Sequence, residues 1–384
     1  MQPNTRIRTA MHDITRAPAA RPAEIAAHHI RTVAASLLDS LWRHRFLAAL
    51  SAVYALFCGP FAKMFGVEHL VDYSVGGQVG IYLMILTLVC FLILHCLRTQ
   101  WRDRPKRLLP HVAKSLKNDF LSYDRLFHGI IAIACLYLLM AVFSNYKRMI
   151  PFVVPFHLDA FLHNLDKTLH FGMEPWRLLQ PLLGHPLISF AINFLYNIWL
   201  FLVVMVFYWQ AFSRKDPALR MQFLSSFLLC WVIVGTVAAT LLSSAGPCFY
   251  GLVTSGADPY APLMDYLRTA NETYPIWALS IQDTLYQSYT QSSLTVVSGI
   301  SAMPSMHISI ATLMALLGWR IGRVAGWGFT AYCGCIMLGS VHLGWHYAVD
   351  GYVSVIMTLA IWHACGWFTG RASGNEPKTL SATL

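Results

Sequence analysis

Residues 301–350 read SAMPSMHISIATLMALLGWRIGRVAGWGFTAYCGCIMLGSVHLGWHYAVD. Two runs free of Asp, Glu, Lys and Arg are separated there by a short turn holding Arg320 and Arg323. Each run reaches the length of about 17–25 residues that lets a helix cross a bilayer. The same pattern recurs along the chain and predicts spans at 46–62, 79–97, 127–146, 188–210, 221–243, 303–319, 325–341 and 349–369. Of the 384 residues, 56% are hydrophobic and only 12% charged, with mean hydropathy +0.51. Soluble domains carry about 25% charged residues, so a soluble enzyme and a disordered chain are both excluded. The sequence predicts an all-α integral membrane protein with about eight transmembrane helices.

The net charge of +10 would suit nucleic acid or a membrane surface, and its placement selects the membrane. Of the 28 Lys and Arg residues, 22 lie in the N-terminal segment, the 98–126 loop, the turns at 211–220 and 320–324, and the C-terminal segment. With eight spans these segments share one side, the cytoplasmic one by the positive-inside rule, and no nucleic-acid partner is needed. The loop 147–187 is the exception, because Lys147, Arg148, Lys167 and Arg177 accompany Asp159, Asp166 and Glu174 on the outer side. That loop is amphipathic, contains Trp176, and is expected to lie in the membrane interface. We divide the chain into a basic cytoplasmic tail (1–45), an accessory two-span hairpin (46–110), a six-span catalytic core (127–370) and a C-terminal cytoplasmic tail (371–384) expected to be disordered from Ser373. The basic stretch WRDRPKRLLPH sets the hairpin apart. Of nine cysteines only Cys248 falls in a long outer loop, so no disulfide framework is expected. The basic segment around His28 and His29 lacks the apolar core of a signal peptide, which favours a tail and leaves a transit peptide open. The triplet Asn271-Glu272-Thr273 matches a glycosylation sequon and carries little weight.

Two segments carry chemistry, and both fall at the outer face. The first, Ser301 to His307, opens the sixth span. Pro304 suits a first helical turn, where its missing N–H is no loss. The free N–H groups and positive dipole end of such a helix form a phosphate site, to which Ser305 adds a hydroxyl. His307 lies one turn inside. The second segment, His342 to Asp350, joins the last two spans. If helical, His346 and Asp350 share a face at i and i+4. A carboxylate there holds the imidazole by Nδ1 and leaves Nε2 free as nucleophile or base. Asp350 is the only acid in or beside the last three spans, and an ionisable group at the edge of hydrocarbon is a functional candidate by default.

The combination of PSMH with HYAVD, separated by one helix down and one back, resembles the type 2 phosphatidic acid phosphatase superfamily. The similarity is greatest to its branch of inositol phosphorylceramide and sphingomyelin synthases, whose PSMH-like and HYxxD boxes match these residues. Phe161 to Gly184, with LDKTLHFG and PWRLLQPLLG, and the segment Ser244 to Tyr250 also resemble that branch. The resemblance covers about residues 127–370. It implies a six-helix catalytic core of that superfamily behind a two-helix N-terminal hairpin, and no cofactor or metal. It implies that His346 is the nucleophile, that Asp350 orients it, and that His307 is the acid and base.

Departures from the superfamily bear on the substrate. The phosphatases carry Lys and Arg-Pro in a first box, and an Arg six residues before the nucleophilic histidine. Here the first box reads SSAGPCFY, without a cation, and Ser340 stands at the Arg position. A phosphomonoester carries about −1.5 to −2 charges near neutral pH, whereas a diester carries one. The missing cations therefore favour a phosphodiester donor. Gly246, Pro247, Ser340, Ser305 and Pro304 are expected around the phosphate, with Arg268 or His342 as substitute sources of charge.

The resemblance thus implies a lipid phosphotransferase that moves a phosphorylated head group from a phospholipid donor to a ceramide-like or diacylglycerol-like hydroxyl acceptor. The alternative within the superfamily is a metal-independent lipid phosphatase. His342, His346 and Asp350 are also spaced as metal ligands, although that reading leaves His307 and Pro304 unexplained. His157, His163, His170 and His185 are too scattered for a di-iron site. A transporter, the alternative from another class, would show broken spans and charges at mid-membrane, whereas the polar residues here gather at one face. The expected setting is a bacterial inner membrane with the site facing the periplasm, or a eukaryotic membrane with the site in the lumen.

Overall fold

In lipid, backbone N–H and C=O groups have no water to bond, and a helix satisfies them within one segment. The charge-free runs do fold that way. The computed structural model describes residues 22–73, 75–117, 121–292 and 299–374, and all regular structure among them is helical. The helices are α1 (Pro22–Arg43), α2 (Arg45–Met64), α3 (Val75–Asp103), α4 (Leu108–Ser115), α5 (Tyr123–Val153), α6 (Asp159–Leu169), α7 (Pro175–Leu183), α8 (Pro186–Asn197) and α9 (Trp199–Ala211). There follow α10 (Pro217–Leu229), a π-helical stretch over Cys230–Ala238, α11 (Ala239–Leu241), α12 (Tyr250–Val253), α13 (Ala261–Thr273), α14 (Trp277–Thr290), α15 (Met306–Ile321), α16 (Arg323–His342) and α17 (Ala348–Gly374).

Among the described residues, seven helical segments are long and apolar enough to cross a membrane: Arg45–Met64, Met84–Asp103, Tyr123–Val153, Pro186–Ala211, Pro217–Leu241, Arg323–His342 and Ala348–Gly370. The remaining expected span is α15, which is apolar but has only 16 residues. At 1.5 Å per residue it is about 24 Å long, shorter than the hydrocarbon core of about 30 Å. The reason lies at its start. Ser305 is the N-cap and its Oγ accepts the Ile308 N–H, so Pro304 stands before the helix and not in its first turn.

The helices α15, α16 and α17 pack on one another, and α10 packs on α17. The segment Pro217–Leu241 is the most enclosed span, with 67% of its apolar window buried, while only 11% of the window in α3 is buried. Helix α5 contacts both α1 and α2. Residues 22–43, placed above in the N-terminal tail, are thus helical and lie against the bundle. Residues 1–21 and 375–384 of the two expected tails lie outside the described residues; of the stretch expected to be disordered from Ser373, the first two residues belong to α17 and the rest is in that undescribed part.

Helix α5 runs to Val153, past the expected end at 146, and carries Lys147 and Arg148 with it. Arg148 donates to the carbonyls of Ser144, Leu70 and Asp72, which explains how a buried cation is tolerated at the end of a span. Helix α6 is inverted relative to a soluble amphipathic helix. It buries Asp159, Leu162, His163 and Asp166, one helical face, and exposes Phe161 and Leu169. An apolar outer face suits the interface position expected for this loop, and its polar inner face builds the site.

Candidate active site

Three loops meet at one end of the bundle and are stitched by backbone hydrogen bonds. The segment at 243–249 bonds to the start of the PSMH box through Ala302 N–H to Ser244 O (3.0 Å) and Met303 N–H to Ser244 Oγ (3.1 Å). It bonds to the α16–α17 loop through Cys248 N–H to Gly344 O (2.8 Å). Gly246 adopts φ +97°, and a Cβ there would stand 2.7 Å from Trp345 O and 3.0 Å from Ala302 Cβ. Only glycine lets this segment pass between the other two.

Two buried carboxylates of α6 hold the assembly. Asp159 accepts from the N–H groups of Ala245 and Gly246 and from the Tyr347 hydroxyl (2.9 Å). Asp166 accepts from Ala348 N–H at 2.8 Å and Val349 N–H at 2.9 Å, the first free donors of α17. An anion there also meets the positive end of the helix dipole. Burial pushes both carboxyls above the ordinary carboxylate range, and the donated N–H groups pull them back toward the ionised form. His163 contacts the Tyr260 hydroxyl at 3.1 Å, and burial pushes its pKa below the usual histidine value.

Asp350 is the third residue of α17, and its Oδ2 reaches back to the Tyr347 N–H at 3.0 Å, as the acid of a capping box does. The same Oδ2 lies 3.4 Å from His346 Nδ1. His346 precedes the helix, so the pair forms across a helix start and not along a shared helical face. Nδ1 faces the carboxylate, which leaves Nε2 as the free nitrogen. His346 N–H and Trp345 N–H both donate to Ser340 O, which fixes the turn.

His307, in the first turn of α15, lies between two aromatic rings. Tyr196 stacks on it at 4.4 Å, and Trp199 tilts against it at 4.2 Å while its indole N–H donates to His307 O. The His307 and His346 ring centroids are 6.3 Å apart. Both rings line a cavity of about 550 Å³ that also touches Lys147, Ser301, Pro304 and Trp345. Away from the histidines its walls are apolar, with Leu136, Met140 and Phe143 from α5, and Leu200, Val203 and Phe207 from α9. Leu136 and Lys147 are 11 residues apart, about 16 Å along α5, so this wall continues deep into the span.

Of the expected site residues, His307, His346, Asp350 and Pro304 come together here. The others serve different ends. The Ser305 hydroxyl is fully buried and spent on the α15 cap. Ser340 Oγ bonds Met337 O within its own helix. Gly246 gives its N–H to Asp159, and Pro247 opens a short 3-10 turn beside it. His342 is buried against Ser189 Oγ at 2.8 Å. Arg268 is 66% exposed, pairs with Asp265, and lines a separate cleft of about 530 Å³. Neither His342 nor Arg268 lines the cavity of the two histidines. A metal triad of His342, His346 and Asp350 does not converge either. Among the described residues, the trio with ligand atoms within 4.8 Å of one another is Asp39, Asp124 and His128, on α1 and α5. Asp159, Asp166 and Lys147 were absent from the expected site, although their place on a loop that broke the charge rule was a usable signal.

Comparison with protein families agrees with this geometry: a family model described as "PAP2 superfamily" matches residues 160–364. No curated protein and no solved structure matches the chain significantly.

Proposed function

From the premise that this chain belongs to the PAP2 superfamily, a group with phosphatase- and phosphotransferase-type lipid chemistry, we propose that it is a membrane lipid phosphotransferase. In this reading it is of the inositol phosphorylceramide and sphingomyelin synthase-like kind. It moves a phosphorylated head group from a phosphodiester lipid to a ceramide-like or diacylglycerol-like hydroxyl. The observation that carries the reading is the pair His307 and His346, facing one cavity whose depth is apolar, with Asp350 behind His346.

In the first half-reaction His346 Nε2 attacks phosphorus and the bond to the donor lipid oxygen breaks. His307 gives that oxygen its proton, releasing a lipid alcohol and leaving the head-group phosphate on His346. In the second, His307 takes the proton of the acceptor hydroxyl, whose oxygen attacks phosphorus and frees Nε2. Asp350 orients the imidazole and offsets the positive charge it acquires. The apolar wall takes acyl chain, which holds the reacting phosphate at the histidines. The site is proposed to face the periplasm or lumen, the side opposite the basic loops.

The test is a purified, reconstituted enzyme given a labelled phosphodiester lipid, with and without a hydroxylated lipid acceptor. Head-group transfer is expected, surviving exhaustive chelation, inhibited by vanadate, and abolished by His346→Ala and by Asp350→Asn in folded protein. Retained activity in either variant overturns the nucleophile assignment. Rapid hydrolysis of phosphatidic acid without transfer would replace the transferase by a phosphatase. Loss on chelation with recovery on adding zinc would overturn the two-histidine scheme.

A further inference from the structure

We propose that Lys147, from the end of α5, is the cation that binds the substrate phosphate, in place of the cations missing from the first box and from position 340. The inference rests on the reading of His307 and His346 given above. Lys147 lies outside the residues matched by the family model and outside every short motif the resemblance is built on.

Four observations support it. Lys147 lines the same cavity as His307 and His346. Among the described residues no carboxylate stands within ion-pair distance of it. Its neighbour Arg148 also lines the cavity, but three backbone carbonyls occupy the guanidinium, so the two cations are not equivalent. The backbone at Lys147 is itself pinned to the site. Gly299, at φ +85°, packs so close that a Cβ would stand 2.6 Å from Lys147 O, and Gly299 leads directly into Ile300, Ser301 and the PSMH box.

An ionisable side chain inside a membrane protein is expensive, and one without an ion-pair partner among the described residues is a functional candidate by default. The rest of the cavity agrees with an acceptor-rich ligand. Tyr196 Oη, Trp231 Nε1 and Trp345 Nε1 are buried in its lining, and none has a hydrogen-bond partner among the described residues. One lysine also balances the single charge of a phosphodiester and leaves a phosphomonoester dianion under-compensated, which ties the residue to the proposed donor class.

The experiment compares wild type with Lys147→Met, Lys147→Gln and Lys147→Arg in the full-length reconstituted protein, using orthovanadate and the labelled phosphodiester lipid as probes. Removing a charged partner from a buried hydrogen bond should raise both the half-inhibitory vanadate concentration and KM by about 10- to 100-fold. Lys147→Arg should keep most of the vanadate sensitivity. A lysine needed only for packing predicts the same vanadate sensitivity in every variant that elutes as folded protein. If either neutral variant fails to fold, the other, compared with Lys147→Arg, decides. Vanadate inhibition and KM within twofold of wild type in a folded neutral variant would overturn the assignment of Lys147 and leave the histidines untouched. Turnover by His346→Ala would instead overturn the reading on which it rests.

Discussion

Replacing Asp166 by alanine tests whether the inverted helix α6 organises the reacting groups. Asp166 is 1% exposed and is the acceptor for both Ala348 N–H and Val349 N–H at the start of α17. Two buried donors left without an acceptor cost about 1–3 kcal/mol each. Loss of a negative charge at a helix N-terminus adds about 0.3–1 kcal/mol. Part of this is recovered, because burial already disfavours the carboxylate, so a destabilisation of about 3 kcal/mol is expected. The start of α17 carries Asp350, and the turn before it carries His346. A shift of about 1 Å there should lower kcat roughly 100-fold, with a smaller change in KM. The assay is thermal unfolding in detergent beside steady-state kinetics on the labelled lipid, with Asp265→Ala as control. Asp265 is 72% exposed and among the described residues bonds only Arg268 and Thr269 of its own helix, so its loss should stay within about 0.5 kcal/mol. Asp166→Ala with the melting temperature and kcat of the control would refute the argument.

Gly246→Ala should reduce both stability and activity, since its Cβ meets Trp345 O at 2.7 Å, whereas Gly256→Ala, at φ +106° with open space around it, should show only backbone strain of about 1–3 kcal/mol. Equal effects in the two would show that the three loops do not depend on close packing at Gly246. Arg268→Ala should leave KM and kcat unchanged, because its guanidinium is exposed in a separate cleft; a large rise in KM would return it to the phosphate site. Phe171→Cys should react with an impermeant thiol reagent from the side opposite the basic loops, since Phe171 is 91% exposed on the α6–α7 turn; labelling only after permeabilisation would reverse the orientation.

The spans were legible because the constraint on them is simple. A membrane helix must be long, apolar and free of charge, and the fourth block, expected at 188–210, folds as Pro186–Ala211. Its break near Ile198 was not legible, and neither was the helix over Pro22–Arg43, where no single residue marks tertiary packing. In the candidate site, the convergence of His307, His346 and Asp350 was legible from their spacing, yet the reason offered for the last pair was a shared helical face and the structure differs. They meet because an acid at the third helical position folds back over the N-terminus. Ser305 and Ser340 were misplaced for a related cause. A hydroxyl near a helix end bonds the local backbone as readily as a ligand, and sequence position does not distinguish the two uses.

The charge rule offered more than it was asked for. The loop 147–187 opposed the positive-inside bias, and the structure gives most of its ions a specific partner. Arg148 holds three carbonyls, Lys167 and Arg177 both meet Glu174, and Asp159 and Asp166 hold the N–H groups of the two loops that frame the cavity. Each of these charges takes part in a junction of the fold. Lys147 is the one ion of that loop for which no such junction is found among the described residues, and it lines the cavity of the two histidines. A charge that breaks a topological rule has to be compensated by something, and here the remaining candidate is an anion brought by the substrate. The same reasoning extends to other polytopic enzymes whose motif cations are missing: the replacement is to be sought first among the residues that violate the charge bias, on whichever helix they lie.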